Sequence, residues 1–477
     1  MYSIHTITNT ILLLSCFVGT QYLAAQQVLR AFMDNDILRN ANISLLIEDL
    51  NTGKTIVDLH AKTSITPAST MKLVTTATAL ELQGADYQFT TTLEIDGKIG
   101  TDSVLSGNLY VRSGGDPTLG SEKMGNHFFL DKWAKLILTS GINKVNGNII
   151  VIEDYFDSQV INPKWTWEDM GNYYAPGIHS LAYRDNTFRC VFKTGAINSK
   201  PKILGTDPFI YDLTIDNQLH ITATKSDLAY FYGAPFSKQR SVYGEIPANK
   251  DAFTVKGDLP HPAEQLVADF NSTLVKNGIQ VLNQIETISN VQTAKTTLTT
   301  ELSPSLGDIV QQINNHSDNQ YAEYVFKNLS AIHQQPGTIA NALKIIKNYW
   351  ESKGLPVEEL NQQDGSGLSP TNAISANFFV QLLRYMRLNS QCSNVFYKSL
   401  AISGKTGTLK NFLSDTKLEG KVHAKSGTIA GVKSYAGFIE TGTKTYVFAV
   451  LVNNAHGTSK EVTAKIEKLL LNISAFE

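Results

Sequence analysis

The sequence predicts an α/β fold in which helices flank an antiparallel sheet and a large β-rich stretch is inserted. Three observations carry this expectation. Strand-like alternation occurs near both ends of the chain, helical periodicity adjoins it, and the long middle breaks into short strand-like runs between turn residues. At 477 residues the chain exceeds one compact core, so two or more domains are expected.

Residues 1–25 read as a secretory signal. The apolar run Ile11–Val18 is too short to span a bilayer, and Leu23-Ala24-Ala25 supplies small residues suited to cleavage. Leu13-Leu14-Ser15-Cys16 also fits a lipobox with Cys16 lipidated, but Phe17 and Val18 carry the apolar run past the cysteine, which favours the signal. An exported protein of the periplasm or cell envelope is expected.

A short helix follows at Gln27–Met33. Ile43–Asp49 and Lys54–Leu59 then alternate about Asn51-Thr52-Gly53, a hairpin pattern. A helix opens near Ser69 and runs to about Leu82, where Gly84 ends it. Strand-like runs at Phe89–Ile95, Gly107–Arg112, Lys144–Ile152, Asp212–Thr222 and Ala252–Gly257 mark the insertion. Helical texture returns at Leu306–Asn315, Gln320–Ser330, Thr338–Lys353 and Ala373–Leu388. The chain closes with strands Ser434–Glu440 and Thr445–Val452 and a helix Ser459–Leu471. One sheet assembled from both termini is expected, with residues 26–86 and 301–477 forming one domain and 87–300 inserted.

Composition excludes some functions. With 42% hydrophobic and 18% charged residues, a formal charge of −2 and no basic run, nothing favours a nucleic-acid partner. Beyond the signal only Cys190 and Cys392 remain, expected as two buried free thiols. No Cys/His pattern with zinc spacing and no His-Glu-x-x-His occurs, so neither metal nor cofactor is expected.

Chemistry concentrates in Thr66-Pro67-Ala68-Ser69-Thr70-Met71-Lys72. Residues i and i+3 share a helix face, so Lys72 stands beside Ser69. A serine is a weak nucleophile until a neighbour takes its proton, and a lysine whose charge is disfavoured can do so. Spacing alone does not decide, because Ser414-Asp415-Thr416-Lys417 repeats it.

Acyl transfer also needs a proton path to the leaving amine and donors for carboxylate and oxyanion. Ser317-Asp318-Asn319, between two helices, presents a hydroxyl and an amide, though the same residues suit an ordinary N-cap. Lys425-Ser426-Gly427-Thr428 runs into the terminal strands, where lysine and hydroxyls can hold a carboxylate and glycine admits a close backbone. Lys405-Thr406-Gly407-Thr408 matches by letters, but no hairpin follows it, so the copy at 425 is preferred.

Ser-x-x-Lys, Ser-x-Asn and Lys-(Ser/Thr)-Gly in this order resemble the signature set of penicillin-binding proteins and serine β-lactamases. The long insertion, Gly114-Gly115-Asp116-Pro117-Thr118-Leu119, Asp364-Gly365-Ser366-Gly367-Leu368-Ser369 and Ser403-Gly404-x-x-Gly407-Thr408-Leu409 narrow the resemblance. They are similar to the D-alanyl-D-alanine carboxypeptidase/endopeptidase family, the low-molecular-mass class C penicillin-binding proteins.

The resemblance implies a penicillin-binding/serine β-lactamase-like transpeptidase fold acting on peptidoglycan stem peptides, with β-lactams as covalent inhibitors. It implies Ser69 as the acylated nucleophile, Lys72 as base, Ser317 as proton shuttle and Asn319 as a substrate contact. Lys425, Ser426, Gly427 and Thr428 would bind the terminal carboxylate, with Ser69 and Thr428 N–H groups as oxyanion hole. Trp165–Asp169 and Asn172–Ala175 resemble the wall that reads the peptide side chain. There Glu168 or Asp169 would meet the ammonium of a diamino acid, with Tyr173 alongside; packing is the other reading of these aromatics. Many members carry Arg after Asp-Gly-Ser-Gly-Leu-Ser, where this chain has Pro370. A β-lactamase-like hydrolase and a non-catalytic penicillin sensor are the competing functions.

Overall fold

The computed structural model describes residues 26–474 apart from 35, 126, 283–284, 289–294 and 443. The export signal and Cys16 lie outside the described residues. The chain separates into two compact units. The first comprises residues up to Ala85, Val310–Ser317 and those from Ile346 onward; the second comprises Asp86–Ile309 and Asp318–Ile345.

In the first unit both termini feed one six-stranded antiparallel sheet. Its order is Thr55–Leu59, Asn42–Asp49, Thr445–Asn453, Val432–Glu440, Val422–Ile429 and Ala401–Ile402. Register is continuous across the centre, with Asn42 opposite Asn453 and Lys425 opposite Ala436. Thr445–Asn453 is buried from Tyr446 onward. Such a strand reads as a continuous apolar run because side chains on both sheet faces leave water. On one face the helix Ser459–Ile473 packs Val462, Ile466, Leu469 and Leu470 among Phe448, Val450 and Leu45. Each such fully buried side chain contributes roughly 1.5–3 kcal/mol. Thr458 and Glu461 close that helix's N-terminus as a capping box. Helix Ala376–Leu388, capped by Ser375, packs on strands Asn42–Asp49 and Thr445–Asn453.

The helix carrying Lys72 spans Lys72–Gln83 and is buried from Lys72 to Leu80. Four of its residues in this stretch are Lys or Thr, so burial requires internal partners. Thr76 and Thr78 satisfy theirs by donating back to the carbonyls of Lys72 (2.8 Å) and Val74 (2.7 Å). Gly84, at φ +79°, ends the helix with its N–H on the Leu80 carbonyl.

The second unit contains a mixed five-stranded sheet ordered Ile285–Ile288, Ile149–Ile152, Leu109–Ser113, Thr90–Ile95 and Thr296–Leu302. Two three-stranded sheets and one four-stranded sheet accompany it. The insertion is less purely β than expected. Helices Phe129–Thr139 and Pro262–Lys276 supply much of its core, with Trp133, Ile137, Leu266 and Phe270 fully enclosed. Their signal was present: Phe129, Trp133, Ile137 and Leu266, Phe270, Leu274 recur every four residues. The expected strand Lys144–Ile152 is two, Lys144–Val145 and Ile149–Ile152, separated at Asn146-Gly147-Asn148. Cys190 is buried, Cys392 half-buried, and both are free thiols.

Candidate active site

Ser69 lies in a single 3-10 turn, Ala68–Met71, that continues directly into the Lys72 helix. Ala68 takes φ +50°, a left-handed conformation that costs a non-glycine residue about 1–3 kcal/mol. Hydrogen bonds hold the turn. Thr70 Oγ1 donates to the Pro67 carbonyl at 2.8 Å, and Ser434 Oγ of the neighbouring strand donates to the same oxygen. Ala68, Thr70, Met71 and Lys72 are buried while Ser69 keeps partial exposure, so the hydroxyl is what the turn presents.

Lys72 is fully buried, with Nζ hydrogen-bonded to Ser69 Oγ at 3.0 Å and donating to the Ser366 carbonyl at 2.6 Å. The second contact explains a motif read above only as a family mark. Asp364, itself fully buried, accepts from the N–H groups of Gly367 (2.8 Å) and Ser369 (2.6 Å) and from Asn372 Nδ2 (2.9 Å). These bonds pin the loop that aims the Ser366 carbonyl. Thr75 Oγ1, one turn after Lys72, donates to the Gly365 carbonyl at 2.7 Å.

Gly367 sits at φ +80°, and a methyl group there would overlap the Ala68 carbonyl. Gly367→Ala is therefore expected to lower stability by roughly 2–3 kcal/mol and to displace the Lys72 contact. Thermal unfolding and the rate of penicillin labelling measure both effects; an unchanged labelling rate would show that this loop does not position Lys72.

Lys425 is fully buried on strand Val422–Ile429, and its Nζ donates to the Ser426 carbonyl at 2.7 Å. Burial, then the nearby Lys72 and Lys433 cations, hold the Lys425 ammonium well below the ordinary lysine range. Burial also lowers Lys433, whose Nζ donates to Thr428 Oγ1 at 2.9 Å. Two neighbouring lysines whose charge burial disfavours gain from an incoming anion.

The same strand leaves an edge. Strand Ala401–Ile402 pairs with Ala424 and His423, and among the described residues Lys425–Ile429 has a strand partner on one side alone, Val432–Glu440. An extended peptide can add along such an edge. Gly427 brings it close to the serine turn. A methyl group at Gly427 would collide with Ser434 Oγ and the Pro67 carbonyl and would lie 3.0 Å from Ser69 N.

The Lys405 copy has a different place. Lys405 is 56% exposed and paired with Glu419 in a loop, not on a sheet edge. Its neighbours nevertheless support the site, a role that the sequence reading missed. Thr408 Oγ1 accepts from Ser426 Oγ at 2.8 Å, and Thr406 Oγ1 accepts from Asn315 Nδ2 at 3.1 Å. The look-alike at Ser414 is a loop as well: Ser414 and Lys417 are both exposed.

Ser317 follows helix Leu306–His316, is half-buried and takes φ +62°. Its helix end is fastened to the Lys72 helix, because Asn314 Nδ2 donates to Thr76 Oγ1 at 3.2 Å and to Ser399 Oγ at 2.8 Å. The N-cap alternative belongs to Asp318, whose carboxylate accepts from the Tyr321 N–H at 3.1 Å. Pro370 accepts from Thr66 Oγ1 through its carbonyl at 3.1 Å and offers no side-chain donor.

Asn319, Glu168, Asp169 and Tyr173 belong to the second unit. There Asn319 Nδ2 donates to the Tyr174 carbonyl at 2.8 Å. Asp169 is engaged within its own loop, accepting from Thr166 Oγ1 at 2.6 Å. Glu168 is exposed, as are Trp167 and Tyr173. Among the described residues no cluster of His, Cys, Asp or Glu could hold a metal ion, and no helix is long and apolar enough to cross a membrane.

Comparison with known proteins shows the family and the fold. The D-Ala-D-Ala carboxypeptidase 3 (S13) family matches residues 24–473, nearly the whole chain. A D-alanyl-D-alanine carboxypeptidase of Actinomadura sp. (strain R39) is 26% identical over 452 residues, covering 92% of this chain and 82% of that protein. Penicillin binding protein 4 (dacB) of Haemophilus influenzae superposes with a TM-score of 0.79 at 21% identity, over 94% of this chain and 98% of that one. A predatory peptidoglycan endopeptidase of Bdellovibrio bacteriovorus gives a TM-score of 0.50 at 15% identity, over 91% and 93%. The chain thus belongs to the D-Ala-D-Ala carboxypeptidase 3 (S13) family, and it is a serine-type peptidase on a penicillin-binding fold.

Proposed function

We propose that this protein removes the terminal D-alanine of peptidoglycan stem peptides through an acyl-enzyme on Ser69. One observation carries the residue assignment: Lys72, fully buried, lies 3.0 Å from Ser69 Oγ. Ser69 Oγ attacks the carbonyl carbon of the penultimate D-alanine while Lys72, in its neutral form, takes the hydroxyl proton. The backbone N–H groups of Ser69 and Thr428 receive the oxyanion. Ser317 relays a proton to the leaving amine, D-alanine departs, and water then attacks the ester. Lys425, Ser426 and Thr428 hold the terminal carboxylate, and Gly427 lets the peptide lie along the strand edge. Asn319 contacts the substrate backbone.

A β-lactam enters by the same attack. Its amide opens but the leaving amine stays tethered, so it is held as an ester on Ser69. Cleavage of D-amino-acid cross-links uses the same atoms with a larger leaving amine. Exposed Glu168 is the carboxylate proposed to meet the ammonium of the third residue, beside Tyr173; Asp169 is committed to its loop. Export to the periplasm or cell envelope, read from residues 1–25, fits a peptidoglycan substrate.

The test is release of D-alanine from a soluble diacyl-D-Ala-D-Ala peptide, followed by chromatography alongside labelling with a fluorescent penicillin. Stoichiometric labelling with D-alanine release is expected. A protein that neither labels nor releases D-alanine would defeat the assignment. Rapid turnover of a chromogenic cephalosporin would replace it with a β-lactamase.

A further inference from the structure

We propose that the second unit carries a non-catalytic site for the glycan strand of peptidoglycan, in the cleft between Phe209–Tyr211 and the start of helix Pro262–Lys276. The inference rests on peptidoglycan being the substrate polymer. The cleft encloses about 500 Å³, within the span of roughly 300–1,000 Å³ usual for small-ligand sites. Its lining residues all lie in the second unit.

Two aromatic rings stand at its mouth without cover. Phe209 is 76% and Tyr211 72% exposed, although Ile210 between them is buried and anchors the loop. A third ring, Phe236, is 55% exposed and lies 6.3 Å from the His261 ring. Large aromatic side chains grouped in water around a concave floor mark a binding surface more often than a packing fault.

The charged groups of the lining are electrically balanced. Lys238 and Glu264 form an ion pair at 2.9 Å, and His261 Nε2 is hydrogen-bonded to the Phe236 carbonyl at 3.1 Å. Gln265 donates to Asp269 at 2.9 Å. Leu259 adds an apolar floor. A ligand that suits this lining needs an apolar face for the rings and a rim of uncharged donors and acceptors. An apolar peptide side chain would strip water from the Lys238–Glu264 ion pair, which is costly, and a charged ligand meets no net opposite charge. An N-acetylated amino sugar has the required form: C–H faces and acetamido methyl groups on one side, hydroxyl and amide groups around the edge.

The test is calorimetric titration of the full protein with purified glycan strands stripped of stem peptides, comparing the parent with a Phe209→Ala/Tyr211→Ala variant. Both rings project into solvent, so the fold tolerates their removal. The parent is expected to bind and the variant to bind roughly ten-fold or more weakly, as for aromatic anchors in other contacts. Penicillin labelling and D-alanine release from a glycan-free peptide should be the same in both. No binding by the parent, equal binding by the variant, or binding confined to peptide-bearing fragments would each overturn the glycan site. Absence of penicillin labelling in the parent would instead defeat the acyl-enzyme reading, and the titration would still decide the glycan site.

Discussion

Replacing Ser69 with alanine is expected to abolish covalent capture of fluorescent penicillin and to lower peptidase turnover by roughly 10⁴–10⁶-fold, the scale seen when a serine nucleophile is removed. The fold should persist, because Ser69 is the partly exposed member of a turn whose buried neighbours Ala68, Thr70 and Met71 carry the packing. Lys72→Met should lose nearly as much, since nucleophile and base act as a unit and their losses do not add. Labelling on intact-protein mass spectrometry, with thermal unfolding as the control for folding, measures these effects. Retained labelling in Ser69→Ala would move the nucleophile elsewhere.

The second large effect concerns Lys425. Lys425→Met is expected to lower kcat/KM for peptides ending in a free carboxylate by roughly 10²–10³-fold. Peptides amidated at that end should lose much less. Equal losses on both substrates would mean that Lys425 does not bind the carboxylate.

A pH dependence follows from the same residue. Burial and the Lys72 and Lys433 cations depress the Lys425 ammonium. As pH rises through that lowered value the cation is lost, so kcat/KM for carboxylate substrates falls at a pH below the ordinary lysine range. A bound carboxylate reverses the shift, so binding takes up a proton in that interval. For the free protein the sign is opposite. The unfolded lysine binds a proton that the folded one does not, so Lys425 makes stability rise with pH across the interval. The alkaline limb should disappear in Lys425→Met; its persistence would assign it to another group.

Much of this was legible from residue order. The terminal hairpins, the Lys72 helix ending at Gly84 and the strand carrying Lys425 follow from periodicity and turn chemistry, which are local. Choosing 425 over 405 also needed only local context, the strands that follow. Less legible were helices Phe129–Thr139 and Pro262–Lys276. Their four-residue apolar spacing stood among strand-like neighbours, and the surrounding texture outweighed it.

Other parts of the site could not be read at all. The Ser366 carbonyl on Lys72, Thr408 on Ser426 and Asn314 on Thr76 join residues that are 294, 18 and 238 positions apart. A backbone carbonyl has no side-chain signature, and threonine or asparagine is too common to signal a partner.

The sequence by itself was enough to propose Ser69, Lys72, Ser317 and Lys425, because i, i+3 spacing and strand context are properties of a short stretch of chain. Which oxygen holds Lys72, how far burial depresses Lys425, and which strand edge stays open were decided by tertiary structure. Desolvation, opposing charge and hydrogen-bond geometry arise between segments that meet only when the chain is folded.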